Sequence, residues 1–175
     1  MFSIEVNDRA VNAALEAIAQ RVGNLQPILQ GIGEEIMERA KQRFSTSTGA
    51  DGQRWQPNAV ATVQALIEDV RGKKGGVQKN GNLSKKSQAT LAGKKVLIDT
   101  GALARQFHVS SNGNSVTVGN SMIYAAIHQF GGQAGRGRKV TIPARPFLPV
   151  KQDGSLYPTE QAAILSALND YLAGK

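Results

Sequence analysis

His108 and His128 are the two imidazoles of the chain, and cysteine is absent. A zinc site needs three or four ligands at defined spacings. Two distant histidines are a poor start towards one, and a structural role is expected for both. A serine nucleophile needs a base and an orienting carboxylate, and no serine stands in a Gly-x-Ser-x-Gly elbow. Glu34, Glu35 and Glu38 cluster, but Arg39 and Lys41 interrupt them, as on a solvated helix face. The run Gly131-Gly132-Gln133-Ala134-Gly135-Arg136-Gly137-Arg138-Lys139 misses the phosphate-loop spacing. It also precedes an expected strand, where that motif precedes a helix. Arg136, Arg138 and Lys139 therefore read as a flexible basic connector, able to touch a phosphate or a neighbouring subunit's carboxylates. No catalytic residue, metal set or cofactor is expected. The remote enzymatic alternative is a small hydrolase using His108 or His128.

Two other stretches stand out. Residues 70–98 hold eight basic residues (Arg71, Lys73, Lys74, Lys79, Lys85, Lys86, Lys94, Lys95) and no acid. Removing those eight from the 21 basic residues leaves as many as the 13 acids, so the net charge of +8 belongs to this one segment. Lysines that neutralise phosphates give salt-sensitive, sequence-independent affinity, but the segment has no aromatic residue for base stacking. Lys73, Lys74, Lys79, Lys85 and Lys86 are thus candidates for a DNA-facing loop, against the plainer expectation of a solvated one. A third possibility is a loop that orders only against a partner. The second stretch is Ile142-Pro143-Ala144-Arg145-Pro146-Phe147-Leu148-Pro149. Its prolines hold the backbone extended and deny it regular hydrogen bonding. Phe147 and Leu148 need burial, and Arg145 offers a planar fork of donors. It is equally readable as a crossover pinned to its own core and as a docking strap between subunits.

The elements that must position these residues follow from apolar spacing. Phe2, Ile4 and Val6 alternate like a strand, and Asn7 or Asp8 could cap a helix striped by Val11, Ala14, Leu15, Ile18 and Val22. Pro27 suits the first turn of a second helix. Its apolar positions are Ile28, Leu29, Ile32, Ile36, Met37, Ala40 and Phe44, with Glu34, Glu35, Glu38, Arg39, Lys41 and Arg43 largely opposite. A third helix is expected over 59–70, a mobile loop over 72–88, and a strand over 95–98 leading to a short helix capped by Asp99 or Thr100. Asn112-Gly113, a dipeptide favoured where a turn needs positive φ, joins strands 107–111 and 115–118 into a hairpin. A helix over 121–130, a strand over 139–142 and an amphipathic helix over 159–172 complete the chain. The order predicts one α+β domain over residues 1–175: long N-terminal helices packed on an antiparallel meander with a hairpin, closed by a C-terminal helix.

Composition sets the outer bounds. A chain of 175 residues with 41% hydrophobic content can bury a core. Aromatics at 5% predict a mostly aliphatic one. Without cysteine, disulfide scaffolds are excluded and a reducing compartment is tolerated. Glu5 interrupts the short apolar start, unlike a signal peptide, and no run approaches the roughly 18 apolar residues of a membrane span. A soluble protein is expected.

Four segments, in order, carry a resemblance: Phe44 followed by Asp51-Gly52-Gln53-Arg54-Trp55; Leu97-Ile98-Asp99-Thr100-Gly101-Ala102-Leu103; Val118-Gly119 with Tyr124-Ala125-Ala126-Ile127-His128-Gln129-Phe130-Gly131-Gly132; and Ile142-Pro143-Ala144-Arg145-Pro146-Phe147-Leu148. Together they resemble the virion-morphogenesis, or tail-completion, family of Mu-like and P2-like phages. Pro149-Val150-Lys151 departs from it, since members often continue with glycine there. The length of the basic loop also varies among such proteins. The resemblance implies a late structural protein, assembled in the bacterial cytoplasm and carried in the virion. It would complete the tail or the neck as a multimer without cofactor, next to tail-tube or neck proteins, with transient contact to genomic DNA and none to membrane. By analogy with connector proteins, a hexameric ring is expected ahead of a dodecameric one. Rings close through heterologous contacts. Tyr124, His128, Gln129, Phe130, Arg145, Pro146, Phe147 and Leu148 are the expected subunit interface. The rival class is a non-specific nucleic-acid-binding protein acting through its lysine-rich loop.

Overall fold

The computed structural model describes residues 9–175, so the expected strand at 2–6 and the Asn7 or Asp8 cap lie outside the described residues. Helix α1 (Arg9–Gly23) leads into α2 (Gln26–Thr46), which starts with Pro27 in its first turn and stops where Ser47 turns left-handed. The apolar spacing of α2 buries Ile32, Ile36, Ala40 and Phe44 as expected. Arg43, assigned to the polar face, is buried with them. It lies three residues from Ala40 and seven from Ile36 on the same stripe, so its position in the helix overrides its charge.

Helix α2 lies across a hairpin, β1 (Phe107–Ser111) paired antiparallel with β2 (Val116–Asn120), with Val109 opposite Val118. Gly33 makes the approach possible. A Cβ there would stand 2.6 Å from methyl carbons of both Val109 and Val116. The expected hairpin is present, but its turn is built differently. Asn112 N–H donates to the Ser115 carbonyl, and the Asn112 side-chain oxygen accepts from Asn114 N, Ser115 N and Ser115 Oγ. Neither Asn112 nor Gly113 adopts positive φ, because four loop residues close the turn without it.

Helix α3 (Val60–Gly72) is as expected. Residues 72–88, expected as a mobile loop, carry local structure. Val77 bridges to Leu83, Ser87 Oγ donates to the Gly76 carbonyl, and Ser84 caps helix α4 (Lys85–Ala92) by accepting from Ser87 N. Small polar side chains here satisfy the backbone in place of an apolar core. Residues 95–98 form a turn and not a strand, with Leu97 at φ 59°. Val96, Leu97 and Ile98 all pack inward, which a strand with alternating faces could not do. Thr100 Oγ1 accepts from Ala102 N at the start of the short helix α5 (Ala102–Arg105), while Asp99 pairs with Lys94 at 2.6 Å.

After β2, the expected helix over 121–130 is only α6 (Ala125–Phe130), halted by Gly131 at φ 75°. A second small antiparallel ladder joins β3 (Gly132–Ala134) to β4 (Val140–Ile142) around a 3₁₀ turn (Arg136–Arg138). Among the described residues the strands therefore make two separate hairpins instead of one meander. Helix α7 (Pro158–Ala173) closes an α+β fold and packs on α1 and α2.

The buried hydrophobic residues are mostly aliphatic, as expected, but the centre of the core is aromatic. Phe44 meets Trp55 edge-on with centroids 5.3 Å apart, Phe147 lies 5.3 Å from Phe44, and Phe107 stands edge-on to Phe147 at 5.8 Å. Few rings suffice when four of them meet at one point. Leu103 and Ala125 complete the cluster.

Candidate functional site

Residues 142–149 run extended over this core. Their three prolines have no N–H to donate, so a ladder cannot hold them. Side chains from three other elements do. The Gln129 carboxamide, on α6, accepts from Phe147 N (2.9 Å) and Leu148 N (2.8 Å) through Oε1. Its Nε2 donates to the Leu148 carbonyl (3.1 Å) and the Val150 carbonyl (2.9 Å). The Pro146 carbonyl accepts from Ala50 N (2.9 Å) and Trp55 Nε1 (3.4 Å).

Arg43 reaches the strap from α2. Its Nη1 donates to the Phe147 carbonyl (2.7 Å) and its Nη2 to Glu160 Oε1 on α7. The other Glu160 oxygen lies 3.5 Å from Arg39 Nη2. Burial pushes the Arg43 guanidinium down from its ordinary value, and the Glu160 carboxylate opposes that. Arg145 turns the other way, donating from Nε to the Gln56 carbonyl (3.0 Å) and from Nη2 to the Pro57 carbonyl (2.9 Å). Its backbone N–H donates to the His128 carbonyl (2.8 Å). One buried polar network thus ties together α2, the residues after Trp55, α6, the strap and α7.

Phe147 is 0% exposed, Gln129 3%, and Arg145 and Pro146 are buried too. These four expected interface residues engage their own chain, as the pinned-crossover alternative describes. Tyr124 and Phe130 remain exposed, with His128 and Leu148 half-buried. Tyr124 meets the His128 ring edge-on at 5.9 Å. His128 Nδ1 is buried without a partner, and burial, then the nearby Arg145 charge, depresses its pKa below the usual 6.5. His128 and Tyr124 border a groove of about 890 Å³ between residues 56–62, residues 94–103 and β4. Val140, also exposed, lines the groove too, and Ile123, next to Tyr124 in sequence, is 99% exposed. Ile123 escaped sequence reasoning, since an apolar residue inside an expected helix reads as core.

His108 faces outward from β1, its ring over Gly119 and its Nδ1 3.4 Å from Ser121 Oγ. Among the described residues no group of three or more His, Asp or Glu is placed to hold a metal. Arg43, Glu160 and Trp55 were not singled out as site residues. Arg43 and Glu160 left a signal all the same, as charges in phase with the apolar positions of their helices. Lys74, Lys79, Lys85 and Lys86 are exposed, and Lys73 pairs with Asp69 at 2.6 Å. Arg136, Arg138 and Lys139 are exposed around the 3₁₀ turn. No described helix is long and apolar enough to cross a membrane.

No solved structure matches the chain. The chain is 33% identical to the Mu-like prophage FluMu G protein 2 of Haemophilus influenzae over 172 residues, covering 98% of this chain and 96% of that protein. A profile of the phage virion morphogenesis family matches residues 6–172, taking in the aromatic core, the Gln129 clamp, the strap and nearly all of α7. With the family profile and the relative in agreement over nearly the full length, this chain belongs to the phage virion morphogenesis family.

Proposed function

We propose that the protein completes the phage tail, or the neck joining tail to head, as a ring of identical subunits, and that it acts by assembly and not by catalysis. Family membership supports a part in building the virion. The observation that carries the finer reading is the set of exposed apolar side chains at the groove, Tyr124 and Val140, with Ile123 next to Tyr124 in sequence. Tyr124 and Val140 stand beside a strap locked by Gln129, Arg43 and Arg145. Large apolar side chains exposed near one another suit an interaction surface. In this reading Tyr124, His128, Phe130 and Leu148 touch the next subunit, and the buried Gln129, Arg145, Pro146 and Phe147 hold them in place. Light scattering tests it on the protein alone and on isolated phage tails. A discrete multimer in either setting is expected, and a monomer in both rejects the ring.

The second reading is contact with DNA through the lysine-rich segment. The exposure of Lys74, Lys79, Lys85 and Lys86 in an acid-free stretch favours it. Lys85 and Lys86 also stand in the first turn of α4, the end of a helix that favours anions.

A further inference from the structure

Helix α1 repeats its large apolar residues at Val11, Leu15, Ile18 and Val22. This four-three-four spacing makes the narrow seam along which one helix packs on another. Within the chain, side-chain hydrogen bonds tie the C-terminal end of α1 and the residues after it to α7. Arg21 Nη1 donates to the Leu172 carbonyl (2.9 Å), and Tyr171 Oη donates to the Asn24 carbonyl (2.7 Å). No residue of α1 is buried; Leu15 is 59% exposed, Ile18 43% and Val22 54%. A helix of this length is marginal in water unless its apolar face is covered.

What covers it can be argued from shape and charge. The seam positions suit a helix more than a flat sheet. Asn12, Ala14 and Ala19 flank them, small enough for close approach and uncharged. An identical chain would therefore meet no like charge there, and Arg21 is turned towards Leu172. The same chain also leaves Leu165 exposed on α7, the helix against which α1 rests. Three or four side chains fall well short of the roughly 800 Å² per partner of a stable pair. This contact thus suits one part of a larger subunit interface better than a free dimer.

We propose that the Leu15–Ile18–Val22 seam of α1 is covered by a helix of a second copy of this chain in the assembled state. The partner's identity rests on the self-assembly reading above. Because the chain has no cysteine, an Ile18→Cys variant reports on the seam through maleimide labelling. Labelling is expected to be fast in the free monomer and several-fold slower in the multimer. The paired change Leu15→Asp with Ile18→Asp is expected to abolish the multimer while leaving the circular dichroism of the monomer unchanged. Equal labelling in both states, or a multimer that survives the paired change, overturns the seam and leaves the ring standing. Slow labelling already in the monomer overturns it by showing that the chain covers its own seam. Protection on tails without any multimer overturns it in favour of a different tail protein. Wild-type protein that never multimerises removes the ring reading as well, and is measured first.

Discussion

A strap with three prolines cannot pair in a regular ladder, and one carboxamide takes the place of that ladder. Gln129 holds two N–H groups and two carbonyls of residues 147–150. Gln129→Ala leaves the buried Phe147 and Leu148 N–H groups unpaired, a loss of about 3 kcal/mol in urea unfolding if each costs its desolvation. Gln129→Glu keeps the acceptor but turns a carboxylate oxygen towards the Leu148 and Val150 carbonyls, so it too is destabilising at neutral pH. Phe147→Ala is expected to remove about 3–5 kcal/mol by emptying the aromatic core. Assembly lost in that variant would therefore report on the fold and not on an interface.

His128 belongs to the same scale. Its folded-state pKa is depressed by burial and by Arg145. Above the ordinary value of 6.5 both folded and unfolded states are neutral and the group contributes no slope. As pH falls through that value the unfolded chain takes up the proton first, and stability declines until the folded pKa is passed. Thermal unfolding between about pH 7.5 and pH 5, above the main carboxylate range, should show this decline. His128→Gln should flatten it, and an equal slope in the variant would remove His128 as its source.

At the scale of elements, what could be read from the sequence was what local spacing alone determines. Helices α2, α3 and α7 follow from apolar period, and the first hairpin appears where expected although its turn avoids positive φ at Asn112-Gly113. Residues 95–98 did not, because a short apolar run reads alike whether it pairs as a strand or wraps a core. The strap's composition announced something unusual, but its four-element clamp joins residues up to 117 positions apart, which no local pattern reveals. Gly33 shows the same limit. In the sequence it is a weak point of a helix, and in the fold it is the contact point between α2 and the hairpin. Gly33→Val should destabilise the protein by about 1–3 kcal/mol through overpacking against Val109 and Val116, despite a better helix propensity. Unchanged denaturation midpoints would mean that the hairpin can retreat.

For the whole molecule, the distribution of charge separates the two surfaces. The α1 seam carries few charges, and of the basic residues in 70–98 only Lys94 and Lys95 line the groove, so Lys74, Lys79, Lys85 and Lys86 lie off both surfaces. If subunits meet through the seam and the groove, those four lysines are free to face another partner. Replacing Lys74, Lys79, Lys85 and Lys86 by Gln touches no core residue, so the mass of the multimer should not change. Affinity for duplex DNA should fall, and the dependence of log K on log salt should flatten by about 0.9 for each phosphate contact removed. Unaltered DNA affinity and salt slope would reject the segment as a phosphate-binding surface and leave assembly untouched. A loss of the multimer with DNA affinity intact would instead place these lysines at the contact between subunits.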